Sequence, residues 1–141
     1  MAQRSLDQLE VGQALTESTV HLTRDSLVRY AGASGDFNPI HYRDDVAKSV
    51  GLPGVLAHGM LTMGVAVQPL IAWLGGDGSV VDYQVRFTRP VPVDPESGAD
   101  VVITSTVGAL EAETNIARVD LRVTFNDETV LGKAQVRVAF A

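Results

Sequence analysis

Residues 59–74 read GMLTMGVAVQPLIAWL, and the longer stretch from Val55 to Gly76 carries no Asp, Glu, Lys or Arg. A helix that is apolar on nearly every side must be covered on nearly every side, by protein or by lipid. Gly59, Thr62, Gly64, Gln68 and Pro69 interrupt the apolar run, and no basic residues flank it. Both features argue against a membrane span. The expectation is a long helix wrapped by protein, bent or opened near Pro69, which has no N–H to give.

The chain downstream supplies the wrapping. In 79–88, Val81, Tyr83, Val85 and Phe87 alternate with Asp82, Gln84, Arg86 and Thr88. In 117–125, Ala117, Val119, Leu121, Val123 and Phe125 alternate with polar residues, and 133–140 repeats the pattern with Ala134, Val136, Val138 and Phe140. Alternation with one apolar face predicts half-buried antiparallel strands. Residues 100–108 and 14–21 read as two further strands, and Asn126-Asp127 as a tight hairpin turn. Thr23 is placed to cap a helix running to about Ala33, with Asp25 in its first turn and Leu27, Tyr30 and Ala31 facing inward. Asp44 is placed to cap a short helix that Gly51 ends. The predicted architecture is α+β, a single domain over 1–141. A curled antiparallel sheet wraps a long central apolar helix, which is the hot-dog arrangement.

Composition narrows the function. The 141 residues are 45% apolar and 20% charged, as in a globular domain. Seventeen acidic residues against eleven basic give a net charge of −6. That balance argues against nucleic acid or an anionic membrane surface as the main partner. With no cysteine, disulfides, thiol nucleophiles and Cys-ligated zinc are excluded. The start, MAQRSLDQLE, lacks the apolar core of a signal peptide, so a cytoplasmic location is expected. His21, His41 and His58 show no metal-ligand spacing, so no metal is expected.

The segment Ser34-Gly35-Asp36-Phe37-Asn38-Pro39-Ile40-His41 brings a carboxylate and an imidazole within one short loop. Pro39 prevents a continuous helix through it and disfavours the helical region at Asn38. A bent loop can turn Asp36 and His41 toward one shared water, an acid–base device. The plainer alternative is an Asx turn in a loop rich in Gly, Asn and Pro, with an incidental histidine. The second motif, Ala57-His58-Gly59-Met60, opens the apolar helix. A helix start offers free N–H groups, and Gly59 lets a ligand approach the backbone, although a glycine there also serves plain packing. His58 reads as a residue that steadies the helix start, and His21 as a partly exposed strand residue.

These residues resemble the MaoC-like enoyl-thioester hydratases. The loop 34–41, with Tyr30 before it and Ala47 after it, is similar to that family's hydratase 2 signature. The helix start at 57–60 and Val85-Arg86-Phe87 followed by Pro90-Val91 recur in the family as well. Within it, the likeness is greatest to the catalytic B subunits of mycobacterial β-hydroxyacyl-ACP dehydratases. The resemblance covers about residue 10 to the end. Two positions depart from it: Ala33, where a larger aliphatic residue or Gly is usual, and Gly64, where some members carry Ser facing the acyl pocket.

The resemblance implies a dimer, of the chain with itself or with a related hot-dog subunit. It implies reversible hydration of trans-2-enoyl thioesters, or dehydration of (R)-3-hydroxyacyl thioesters, carried on CoA or acyl carrier protein. No cofactor is implied. Asp36 and His41 become the catalytic pair, Gly59 the backbone donor to the thioester carbonyl, and Asn38 a residue that orders the loop. Arg43, Arg86, Arg89 and Lys133 are candidates for the pantetheine phosphates. Two alternatives stay open: a hot-dog acyl thioesterase, and a non-catalytic acyl-binding subunit of a heterodimeric dehydratase.

Overall fold

A computed structural model describes residues 2–141. In chain order the elements are β1 (Ala14–Leu22), α1 (Arg24–Ser34), α2 (Asp44–Ser49), α3 (Gly59–Leu74), β2 (Gly78–Phe87), β3 (Ala99–Glu111), β4 (Ile116–Phe125) and β5 (Glu128–Phe140). Short 3-10 turns cover Leu6–Gln8 and Pro39–His41. The five strands form one sheet in the order β1-β3-β4-β5-β2, with every pairing antiparallel. This is the hot-dog fold, with the sheet packed on α3.

The sheet's inner face follows from the alternation. Ala99, Val101, Ile103, Ser105 and Val107 point inward from β3, Ala117, Val119, Leu121 and Val123 from β4, and Val136, Val138 and Phe140 from β5. Ser105 made the β3 pattern hard to read, because a polar residue occupies an inner position. Its hydroxyl is satisfied by Thr16 Oγ1 at 2.6 Å, as a buried polar group requires. Asn126 and Asp127 both adopt positive φ, 49° and 63°, and join β4 to β5 as a two-residue turn. From α3, Thr62, Ala66, Val67, Leu70 and Leu74 are buried against the sheet.

Several expectations need correcting. α3 is wrapped on one side only: Met60, Gly64, Gln68 and Ile71 form an exposed stripe, with Met60 58% and Ile71 43% exposed. One curled sheet covers about half of a helix, and among the described residues Met60, Gly64, Gln68 and Ile71 on the other half stay exposed. Val81 does not face inward. The β2 register shifts between Val80 and Asp82, so Val80 packs on the core and Val81 is exposed. A bulge of this kind turns one side chain out of the alternation. α3 continues through Pro69 without a break. Asp44 does not cap α2: Arg43 holds the N-cap position without a side-chain bond, and Asp44 reaches elsewhere. Thr23 does cap α1, through a reciprocal pair with Ser26. No helix among the described residues is long and apolar enough to cross a membrane.

Two ties fix the ground on which the site is built. Arg24 Nε donates to the Val93 carbonyl at 2.6 Å, and its guanidinium grips both oxygens of Asp44 at 2.9 and 3.2 Å. Asp44 Oδ1 also accepts the Val55 N–H at 3.0 Å. α1, α2 and the segment leading into α3 are thus joined through one ion pair. On the other side, the half-buried Tyr83 of β2 donates its hydroxyl to the Met63 carbonyl of α3 at 2.8 Å.

Candidate active site

The loop between α1 and α2 holds its own shape. Gly35 ends α1 in the left-handed region, φ 76°, where glycine pays no Cβ penalty. Three side chains then each take a backbone N–H two residues on. Ser34 Oγ accepts from Asp36, Asp36 Oδ1 from Asn38, and Asn38 Oδ1 from Ile40, all at 3.1–3.2 Å. Asn38 thereby caps the Pro39–His41 turn, with Pro39 in its first turn. The Asx turn and the acid–base pair are therefore not rivals. One oxygen of Asp36 makes the turn, and the other faces His41.

His41 is set from a different direction. Its Nδ1 lies 2.7 Å from the Leu56 carbonyl. A carbonyl only accepts, so Nδ1 carries the hydrogen and Nε2 keeps its lone pair. That bare Nε2 lies 4.0 Å from Asp36 Oδ2. The gap is too long for a direct hydrogen bond. An oxygen at about 2.8 Å from both atoms fits between them, at an angle near 90°. The His41 side chain is 11% exposed and the Asp36 side chain 50%, so the pair opens to solvent on the aspartate side.

Gly59 is the first residue of α3. His58 at the N-cap makes no side-chain cap bond, and the helical ladder begins with Thr62 N–H donating to His58 O at 3.1 Å. The N–H groups of the first turn are thus left without ladder partners, at the positive end of the helix dipole. A Cβ at Gly59 would lie 2.9 Å from the Phe87 ring. Gly59, His41, Thr62, Phe87, Val91 and Leu131 border a cavity of about 310 Å³, with Arg89 at its edge. A larger open depression of about 690 Å³, around Arg24, Lys48, Asp94 and Asp100, contains neither Asp36 nor His41.

The four candidate cations are not gathered together. Arg89 alone borders the His41 cavity, where it pairs with Glu128 at 3.2 Å. Arg43 pairs with Asp45, which raises its pKa further above the usual range. Arg86 and Lys133 share a separate depression on β2 and β5. Gly64 lies on the exposed stripe of α3 and is not among the cavity's lining residues. His21 is exposed on β1, 2.6 Å from Asp100.

His58 departs from its expected part. It caps nothing; its buried ring stacks on His41 at 3.9 Å, and Nε2 meets the Asp36 carbonyl at 3.1 Å. Two of the three histidines are therefore brought together, while His21 stays apart. Donor atoms of Asp36, His41 and His58 lie within 4.8 Å of one another, the one such trio among the described residues. One nitrogen of each ring is already committed to a carbonyl. Sequence reading also missed Leu56, whose carbonyl selects the His41 tautomer, and the Arg24–Asp44 tie that holds Val55. A backbone carbonyl has no residue signature, and an ion pair between distant elements has no spacing to read.

A family model described as MaoC like domain matches residues 8–124. The 3-hydroxybutyryl-CoA dehydratase of Methylorubrum extorquens is 33% identical over 135 residues, covering 94% of this chain and 82% of that protein. 3-hydroxyacyl-thioester dehydratase X of Mycobacterium tuberculosis is 36% identical over 81 residues, 57% of this chain and 28% of its own length. A solved MaoC-like dehydratase superposes with a TM-score of 0.92 at 37% identity, over 99% of this chain and 43% of that one. The chain thus spans less than half the length of these last two. A chain from the HadBC (3R-hydroxyacyl-ACP dehydratase) complex of Mycobacterium tuberculosis has the same fold, with a TM-score of 0.71 at 16% identity. With the signature loop, the helix start and the hot-dog sheet in place, the chain belongs to the MaoC-like domain family.

Proposed function

We propose that this chain catalyses the reversible hydration of trans-2-enoyl thioesters and dehydration of (R)-3-hydroxyacyl thioesters, carried on CoA or acyl carrier protein, in fatty-acid metabolism. One observation carries the reading. The bare Nε2 of His41 and the free oxygen of Asp36 face each other across 4.0 Å, beside a cavity bordered by the first residue of α3. Relatives named as 3-hydroxybutyryl-CoA dehydratase and 3-hydroxyacyl-thioester dehydratase support the substrate class.

In hydration, the thioester carbonyl accepts the Gly59 N–H. Water in the Asp36–His41 gap attacks the β-carbon while His41 Nε2 takes its proton. The double-bond electrons pass to the α-carbon and carbonyl, and the enolate oxygen is held at the helix start. Asp36, carrying a proton at that moment, delivers it to the α-carbon. The proton on His41 then returns to Asp36, and the cycle closes with one water consumed. Dehydration runs the same steps backward. The route needs no cofactor.

A second hot-dog chain, identical or related, covers the exposed stripe of α3 in this reading. The apolar stripe and the unpaired edges of β1 and β2 support it, as does the HadBC assembly. The test is the purified chain with crotonyl-CoA, followed by loss of enoyl absorbance with the product identified. Formation of (R)-3-hydroxybutyryl-CoA is expected. Free thiol without a 3-hydroxy product would replace the reading with a thioesterase. Activity that appears only on adding a related chain would make this an auxiliary subunit.

A further inference from the structure

The proposed mechanism leaves His58 unused, yet no other histidine is as buried. Its relative exposure is 1%. Its Nε2 points to the Asp36 carbonyl at 3.1 Å, so Nε2 carries the hydrogen and donates. Nδ1 is then the bare nitrogen. It is buried and meets no hydrogen-bond partner among the described residues. A solvent-excluded polar atom without a partner costs about 1–3 kcal/mol, so its retention calls for a reason. The ring's contacts supply one. His41 stacks on it at 3.9 Å with 24° between planes, and Tyr30 of α1 meets it edge-on at 4.7 Å.

We propose that His58 is a positioning residue for the Asp36–His41 pair: its neutral ring is the plate on which His41 is oriented, and its Nε2–H pins the backbone of Asp36. This rests on the hydratase reading for its catalytic consequence, though not for its geometry. His41 would otherwise be held by one bond, to Leu56, and could swing about it. A flat ring against its face removes that freedom. The same residue is bonded to the other half of the pair, so both catalytic groups are referred to one rigid point at the start of α3.

The plate works only while uncharged. The groups that face it are His41 and Asp36 from the loop and Tyr30 from α1. A proton on Nδ1 would find no acceptor and would set a cation against the His41 ring. Burial, the larger effect, and the neighbouring His41 both push the His58 pKa down.

The experiment is ¹⁵N NMR of the histidine rings in the full chain, without substrate, combined with kinetics of His58→Phe and His58→Gln. The wild type should show His58 as the neutral Nε2–H tautomer and His41 as the Nδ1–H tautomer at pH 7. His58→Phe keeps a ring under His41 and should preserve the single His41 tautomer. His58→Gln removes the ring, and His41 should then show both tautomers. With crotonyl-CoA, kcat should fall at least tenfold in His58→Gln and less in His58→Phe, with KM within about threefold in both. A cationic or Nδ1–H form of His58 at pH 7 would overturn the proposal, as would two folded variants with wild-type kcat. The wild-type spectrum decides the point even if a variant fails to fold. It decides it too if the chain proves inactive on enoyl thioesters, a result that would refute the hydratase reading alone.

Discussion

Replacing Asp36 with Asn and with Ala separates catalysis from architecture, because its two oxygens have different tasks. Oδ1 accepts the Asn38 N–H at 3.1 Å and Oδ2 faces His41. An asparagine keeps one oxygen for the turn and sets an NH₂ group toward the bare His41 nitrogen. Asp36→Asn should therefore leave the loop intact, with a Tm within about 2 °C of wild type. It should still lower kcat at least about a hundredfold, roughly 2.7 kcal/mol of barrier, since it can neither hold nor return the proton. Asp36→Ala should lose the same activity and also the turn bond. A net hydrogen bond of about 1 kcal/mol corresponds to a Tm lower by roughly 3 °C for a domain of this size. The assay is crotonyl-CoA hydration alongside calorimetry. If Asp36→Asn retained more than about a tenth of wild-type activity, the acid–base assignment would fail. If Asp36→Ala melted with Asp36→Asn, the division of labour between the oxygens would fail.

His41→Gln should cost at least about a hundredfold in kcat with little change in Tm, and a wild-type rate would remove His41 from the mechanism. Gly59→Ala places a methyl 2.9 Å from the half-exposed Phe87 ring, inside the cavity. Circular dichroism should show the fold retained while kcat/KM drops at least tenfold; an unaffected kcat/KM would mean that no carbonyl sits at Gly59. Asp44→Asn should lower Tm by roughly 3 °C at pH 7, about 1 kcal/mol for a half-exposed pair. The Arg24 hydrogen bonds lower the Asp44 pKa, so this difference should hold above the ordinary carboxylate pKa. As pH falls through the lowered value, wild type and Asp44→Asn should converge. Burial pushes the Tyr83 pKa up to about 12, so its hydroxyl contributes stability below pH 10 that is lost as pH rises toward 12. Spectrophotometric titration should show one of the three tyrosines ionising late, and Tyr83→Phe should remove that phase.

Much of this molecule is legible in its sequence, because much of it is periodic or local. The inner faces of β4 and β5 follow from alternation, and the Asn126-Asp127 turn from the need for two positive φ values. The loop 34–41 is legible because Ser34, Asp36 and Asn38 bond to N–H groups two residues away. What stays hidden comes from pairing across the fold. The outward turn of Val81 depends on the register against β5. Asp44 is drawn off its own helix by an arginine on another. The His58 ring lies against His41 only because the start of α3 is brought beneath the loop. The exposed stripe on α3 was misread because apolar composition says that a face will be covered, without saying by which chain.

The chemistry proposed for the site draws on two short strips of sequence. Residues 34–41 fold on themselves, and residues 56–59 add the Leu56 carbonyl, the His58 ring and the Gly59 amide. Nothing from the sheet touches Asp36 or His41 by a hydrogen bond among the described residues. The pair is therefore portable. A hot-dog chain with an idle site could be made active by transplanting these two cassettes together, provided that its own helix starts at the same height. The strand residues that border the cavity, Phe87, Val130 and Leu131, could then diverge freely. Substrate range and reaction would evolve as separate traits on one scaffold.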